Sequence, residues 1–293
     1  MLNAGRLYHY TTLGALKFIL PGRAALRAKG IEGKDTEFRF TQSNFLNDYE
    51  EGSIFISFLK ERKKEIAQVL EKNYAIQDAI QKLEHYIHLC EEHKQHFENN
   101  RSDCFVFCAS SLRDSSQFWL SPYAKSYNDD GTELDRDRKG ICLSFDSYYV
   151  DRGLEDYMVT FDFPNERIDK RFVVYVNPYA KSLEKSVNNT FFELIKEEIK
   201  MNFNFTSRFT IKYAGWESEQ EFRWMYWPKE EKIQYDSDAK HTPRTRLYLC
   251  GVIDEVILGP GFSQQDVDMV KNDLMSRGYG AISVELSKVK LQH

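Results

Sequence analysis

Cysteine is sparse in this 293-residue chain: Cys90, Cys104, Cys108, Cys142 and Cys250 make an odd number with no dense framework. That argues against a disulfide-stapled secreted domain and fits reduced thiols in a cytosol. Long apolar runs are missing too. Nowhere do eighteen consecutive apolar residues occur, and Met1 to Thr12 holds no apolar signal core, so neither a membrane span nor export is expected. A soluble, cytoplasmic protein is the expectation. Charge of one sign is not in excess either: 40 basic against 45 acidic residues leave a formal charge of -5, which excludes the global basic field of non-specific nucleic-acid binders. A local basic groove stays open. No Gly-x-Gly-x-x-Gly fingerprint, Walker loop or Gly-x-Ser-x-Gly elbow occurs, and Gly259-Pro260-Gly261 suits a strand-ending turn better than a phosphate cradle.

Aromatic residues, by contrast, are plentiful. With 21 Phe and 17 Tyr, they supply much of any core and of any pocket wall. Leu7 to Thr11 reads as a first strand, with Leu7, His9 and Thr11 on one face and Tyr8 and Tyr10 on the other. Thr12 can cap a following helix whose stripe is Leu13, Leu16, Ile19 and Leu20 and whose end is Pro21-Gly22. Phe38 to Phe40 suggests another strand, and Ser43 to Glu50 is a segment of turn formers. From Glu51 to Phe97 apolar residues recur at helical periods among Lys and Glu, which predicts two or more amphipathic helices.

Further strands are expected over Phe105 to Ala109, Lys139 to Phe145, Met158 to Phe163, Phe172 to Val176, Glu221 to Tyr226 and Leu247 to Leu258, with a charged loop over Asn128 to Arg138. Leu183 to Met201 reads as a helix. Ser263 and Asp266 resemble a capping box that opens a helix closed at Arg277-Gly278, before a last strand through Ile282, Val284 and Leu286. This order predicts a single α+β domain over 1–293, with a helical insertion at 51–100 as an arm.

The most pointed segment is Trp216 to Arg223. Acids recur at alternate positions, so a strand would put Glu219, Glu221 and Arg223 on one face with Phe222 and Trp224 on the other. Two carboxylates and a guanidinium that close make either a salt-bridged edge or a site. The histidines His85, His88, His93 and His96, with Cys90 among them, lack zinc-finger or His-Glu-x-x-His spacing, and a solvated helix face accounts for them without a metal. Cys104 and Cys108 read as buried small residues. Arg244, Arg246 and Tyr248 are too few to make a nucleic-acid stripe. His9, a polar ring on the first strand, is either a satisfied core histidine or a ligand group. Trp119 and Tyr123, four residues apart, meet on one face if their segment is helical, as a hydrophobic contact or as a stacking pair.

Seven segments in order resemble the bacterial domain of unknown function 2971 family: Leu7 to Thr12, Asn44 to Glu50, Phe107 to Ser110, Trp119 to Ala124, Lys139 to Phe145, Trp216 to Arg223 and Val256 to Gly259. That family in turn resembles the ADP-ribosyltransferase superfamily. The resemblance implies a two-sheet core with flanking helices and an enzyme that transfers ADP-ribose from NAD to a macromolecular acceptor, as a toxin or phage-defence effector. It implies that His9 holds a ribose hydroxyl, that the Tyr10 and Thr11 backbone meets the nicotinamide amide, and that Tyr123 with Trp119 stacks on the ring. Glu221 would stabilise the developing positive charge beside Arg223, and Glu219 would orient or deprotonate the acceptor. The helical arm would recruit the target, or a partner or antidote protein. Two alternatives stand beside this reading: a non-catalytic binding module on the same fold, and an NAD glycohydrolase.

Overall fold

The computed structural model describes residues 5–43, 51–99, 104–121, 128, 132–160, 167–200, 206–228, 232–235 and 243–290. Along the chain it runs β1 (Arg6–Thr12), α1 (Leu13–Ile19), α2 (Arg23–Ala28), β2 (Thr36–Gln42), α3 (Glu51–Tyr74), α4 (Ala79–Asn99) and β3 (Phe105–Ser110). Then come α5 (Ser116–Trp119), β4 (Gly140–Asp146), α6 (Ser147–Thr160), β5 (Arg167–Phe172), β6 (Val174–Val176), α7 (Leu183–Ser186) and α8 (Asn189–Lys200). The last third holds β7 (Ile211–Tyr213), β8 (Glu221–Trp227), β9 (Gln234–Tyr235), β10 (Pro243–Leu249), β11 (Ile253–Leu258), α9 (Gln264–Ser276) and β12 (Ser283–Leu286). Helices and mostly antiparallel strands are thus mixed along the chain. Among the described residues no helix is long and apolar enough to cross a membrane.

The residues cluster into two compact units, each built from separate stretches of chain. The first takes 1–40, 107–166 and 245–293. Its strands lie in the order β12, β11, β4, β1, β3, with β1 antiparallel to β4 from Arg6 against Asp146 to Thr12 against Gly140. β11 runs antiparallel to β4 and parallel to β12. Period-two alternation decides which side chain goes where. Ile141, Leu143, Val256 and Leu258 pack with Leu16, Ile19 and Leu20 from the α1 segment and with Val267, Val270 and Leu274 from α9. Their neighbours Cys142 and Ile257 pack with Tyr8, Tyr10 and Trp119. At Gly259 the second cluster comes close to backbone: a Cβ there would lie 2.8 Å from the Gly140 carbonyl and 2.9 Å from the Trp119 ring.

The second unit takes 41–106 and 167–244. Phe55, Phe58, Leu59, Ile66 and Leu70 of α3 and Leu83, Tyr86 and Cys90 of α4 close over Val174 and Val176 of β6, Ile211 of β7 and Phe191, Leu194 and Ile195 of α8. The stretch read as an arm is therefore one wall of a core. β5 and β8 pair antiparallel from Arg167 against Trp227 to Phe172 against Phe222, and β6 and β7 pair parallel.

Several local expectations need correction. Met158 to Thr160 end α6 rather than begin a strand: the helix that buries Val150 and Leu154, four residues apart on one face, runs on through Thr160. Residues 161–163 of that expected strand lie outside the described residues. The helix expected from Leu183 is two, α7 and α8, parted at Val187-Asn188, where the Asn188 side chain accepts from the Phe191 N–H. The run from Leu247 to Leu258 is two strands broken at Gly251, whose φ of +62° suits a turn. Thr12 occupies the cap position of α1 with no side-chain cap bond, and the Leu13 N–H donates instead to the Lys139 carbonyl. The Ser263–Asp266 capping box is formed in both directions. The turn formers of 44–50 lie outside the described residues.

Candidate functional site

Trp216 to Gln220 are not strand. Trp216 is the only apolar residue in that stretch, so a strand there would have no face to bury, and the chain instead coils as a 3-10 turn over Ala214–Glu219. Gln220 follows with a left-handed φ of 42°, and β8 starts at Glu221. The turn still delivers both acids to one place, but through a lysine absent from the sequence pattern. Lys212 on β7 donates from Nζ to Glu219 Oε2 at 2.8 Å and to Glu221 Oε2 at 3.4 Å.

Arg223 holds Glu221 with two parallel bonds, Nε to Oε1 and Nη2 to Oε2, each 2.9 Å. Its Nη1 donates to the Phe209 carbonyl at 2.7 Å. The Glu221 backbone N–H donates to the Tyr175 hydroxyl at 3.0 Å. Lys212, Glu221 and Arg223 are all buried. Two carboxylates and two cations balance, which offsets the cost of burying three of the four charges. Glu219 differs from Glu221 in being the more open acid, its side chain 22% exposed against 9%. Burial raises its pKa above the ordinary 4.5 although Lys212 opposes the shift. Burial likewise raises Tyr175, which stays a neutral hydroxyl. Lys212 Nζ sits 5.1 Å from the centre of the Trp216 ring, and Trp216 is 44% exposed.

His9, Tyr10, Thr11 and Trp119 belong to the first unit. His9 is half-buried, 4.7 Å from the Phe107 ring, with Nδ1 2.9 Å from the Cys108 carbonyl. Burial lowers its pKa, so the ring is neutral and Nδ1–H donates to that carbonyl. Tyr10 is stacked on Phe118 at 4.2 Å, donates its hydroxyl to the Leu112 carbonyl and accepts from the Ser115 N–H. Thr11 is half-buried and lies opposite Ile141 in the β1–β4 ladder. Trp119 is 1% exposed, edge-on to Tyr10, with Nε1–H donating to Asp114 Oδ1 at 2.9 Å. Its ring is core rather than an open platform. Tyr123 lies outside the described residues.

The histidine stretch divides by helix face. His85 and His88 are exposed and His88 pairs with Glu92, whereas Cys90 points into the core, where burial pushes its thiol up to about 12. The side chains of His93 and His96 lie outside the described ones. Among the described residues no group of three or more His, Cys, Asp or Glu is placed to hold a metal ion. Cys104 is buried and Cys108 half-buried. The structure thus gathers Glu219, Glu221 and Arg223 within the second unit and adds Lys212, Tyr175 and Trp216. Lys212, in the three-residue β7, carries no spacing signal that ties it to acids seven and nine positions later. Comparison with known proteins returned no match: no family model, no curated protein and no solved structure corresponds to this chain.

Proposed function

We propose that the protein is an ADP-ribosyltransferase-like enzyme that cleaves NAD and passes ADP-ribose to a macromolecular acceptor, with Glu219 and Glu221 as its working acids. The observation that carries this reading is the convergence of both carboxylates on Lys212, with Glu221 fixed by Arg223 and Glu219 left more open. Breaking a glycosidic bond builds positive charge on the sugar, and a fixed, poorly solvated anion stabilises that charge most. Glu221 is such an anion. Glu219, with its raised pKa, suits proton transfer with an acceptor. A bacterial toxin or phage-defence effector is the biological setting this chemistry fits, by the resemblance of the sequence segments.

A second reading rests on Arg223. Two parallel bonds to Glu221 neutralise the carboxylate, which favours a binding module that performs no transfer. Labelled NAD incubated with host lysate and with wild type, Glu219→Gln or Glu221→Gln separates these readings, the melting temperature of each variant being read alongside. Nicotinamide release together with macromolecule-bound label is the expected result, lost on Glu221→Gln by two orders of magnitude or more, roughly what removal of one transition-state contact costs. Release without bound label points to an NAD glycohydrolase. Full activity in a folded Glu221→Gln protein rejects the enzyme assignment, and absence of both turnover and NAD binding in wild type leaves the binding module.

A further inference from the structure

Glu37 and Arg39 lie on the same face of β2, and Arg246 and Tyr248 on the neighbouring β10, all within the first unit. Glu37 is buried, 2% exposed, and its Oε1 takes Arg39 Nε at 2.8 Å and stands 3.6 Å from Arg246 Nε. One enclosed carboxylate thus hydrogen-bonds Arg39 and draws Arg246 by charge alone, and both guanidiniums stay partly open, 22% and 25% exposed. Because Arg39 is held through Nε, its terminal nitrogens remain for another acceptor. The Arg39 guanidinium lies 4.8 Å over the Phe18 ring, itself 48% exposed, which fixes the fork from a second side.

We propose that Arg39 and Arg246, positioned by Glu37, bind the phosphate group of a small soluble ligand. One carboxylate against two guanidiniums leaves a local charge of +1, and two forks offer more N–H donors than the two oxygens of a carboxylate use, whereas a phosphate has the oxygens and charge to take them. Tyr248, beside Arg246 and kept neutral by burial, adds a hydroxyl donor. A long nucleic acid is a poor fit, since the chain carries -5 overall. This site uses none of the carboxylates assigned to NAD cleavage and stands or falls apart from that assignment.

Isothermal titration of the full chain at low salt with inorganic pyrophosphate, ADP and adenosine tests it. Pyrophosphate and ADP are expected to bind and adenosine not to. Arg39→Gln and Arg246→Gln should each weaken pyrophosphate by about tenfold or more, the scale of losing one charge-assisted contact. Arg6→Gln, which removes another partly exposed arginine of the same unit, paired with Asp254, should leave binding unchanged. Phe18→Ala keeps every charge and the buried carboxylate, so its fold is secure; loosening of Arg39 should weaken pyrophosphate about threefold. No pyrophosphate binding to wild type, equal weakening by Arg6→Gln, or equal binding of ADP and adenosine would each overturn the proposal. So would vesicles bearing phosphatidic acid that bind where pyrophosphate does not, since the ligand would then be a membrane.

Discussion

Arg223 and Glu221 show how strongly a residue's role depends on its partner. Each is buried and bound to the other twice, so removing Arg223 leaves Glu221 out of water with only the longer contact to Lys212, a cation that Glu219 shares. Arg223→Ala should lower unfolding free energy in urea by about 3–5 kcal/mol. The double variant Glu221→Gln with Arg223→Gln should lose less than the sum of the two single changes; strict additivity would show that the pair is not coupled. His9 gives a pH signature. Its folded pKa lies below the ordinary 6.5, so the folded state binds the proton less tightly than the unfolded chain does. The stability that neutral His9 contributes is therefore complete above pH 6.5 and declines as pH falls below it, through the window down to the lowered folded value. Urea midpoints at pH 7.5 and 5 should differ more for wild type than for His9→Gln; an unchanged difference would remove His9 as the source.

Between elements, what could be read in the sequence depended on whether the signal was local. The faces of β1 were legible because alternation is a nearest-neighbour property: Tyr8 and Tyr10 meet on one side, joined there by Cys142 of β4, whose own faces were not assigned from sequence. So was the α9 cap, where Ser263→Ala should cost about 1 kcal/mol in thermal or urea unfolding. The 3-10 turn before β8 was not, because alternating acids satisfy the strand pattern while the absence of an apolar face decides against it. Nor was the burial of Trp119, which depends on a glycine far along the chain. Gly259→Ala would press a methyl group against the Gly140 carbonyl and the Trp119 ring, and a loss of about 1–3 kcal/mol with altered tryptophan fluorescence is expected. The acid pair of the candidate site was visible as a pattern, whereas Lys212 joined it only through the placement of β7.

At the scale of the whole molecule, the helices of 51–99 change meaning. Phe58 is 1% exposed and meets the Phe191 ring edge-on at 5.6 Å, so α3 supplies core to its unit. Phe58→Ala should destabilise by about 3–5 kcal/mol, read from urea unfolding. Deleting 51–100 should abolish cooperative unfolding of the second unit rather than trim a recruiting arm. A deletion protein that keeps its near-ultraviolet circular dichroism would contradict this.

The strand order of the first unit also bears on how the protein is made. β4 lies between β1, which precedes it in the chain, and β11, which follows it only after the second unit has been completed. While 147–252 are being synthesised, the β11-side edge of β4 has no native partner on the nascent chain, with Ile141 and Leu143 still awaiting α9. Everything assigned to the second unit, which ends at residue 244, emerges before that partner does. A stalled or shortened message therefore releases a product with one unit fully encoded and the other carrying an open sheet edge, the species a holdase chaperone or protease meets first.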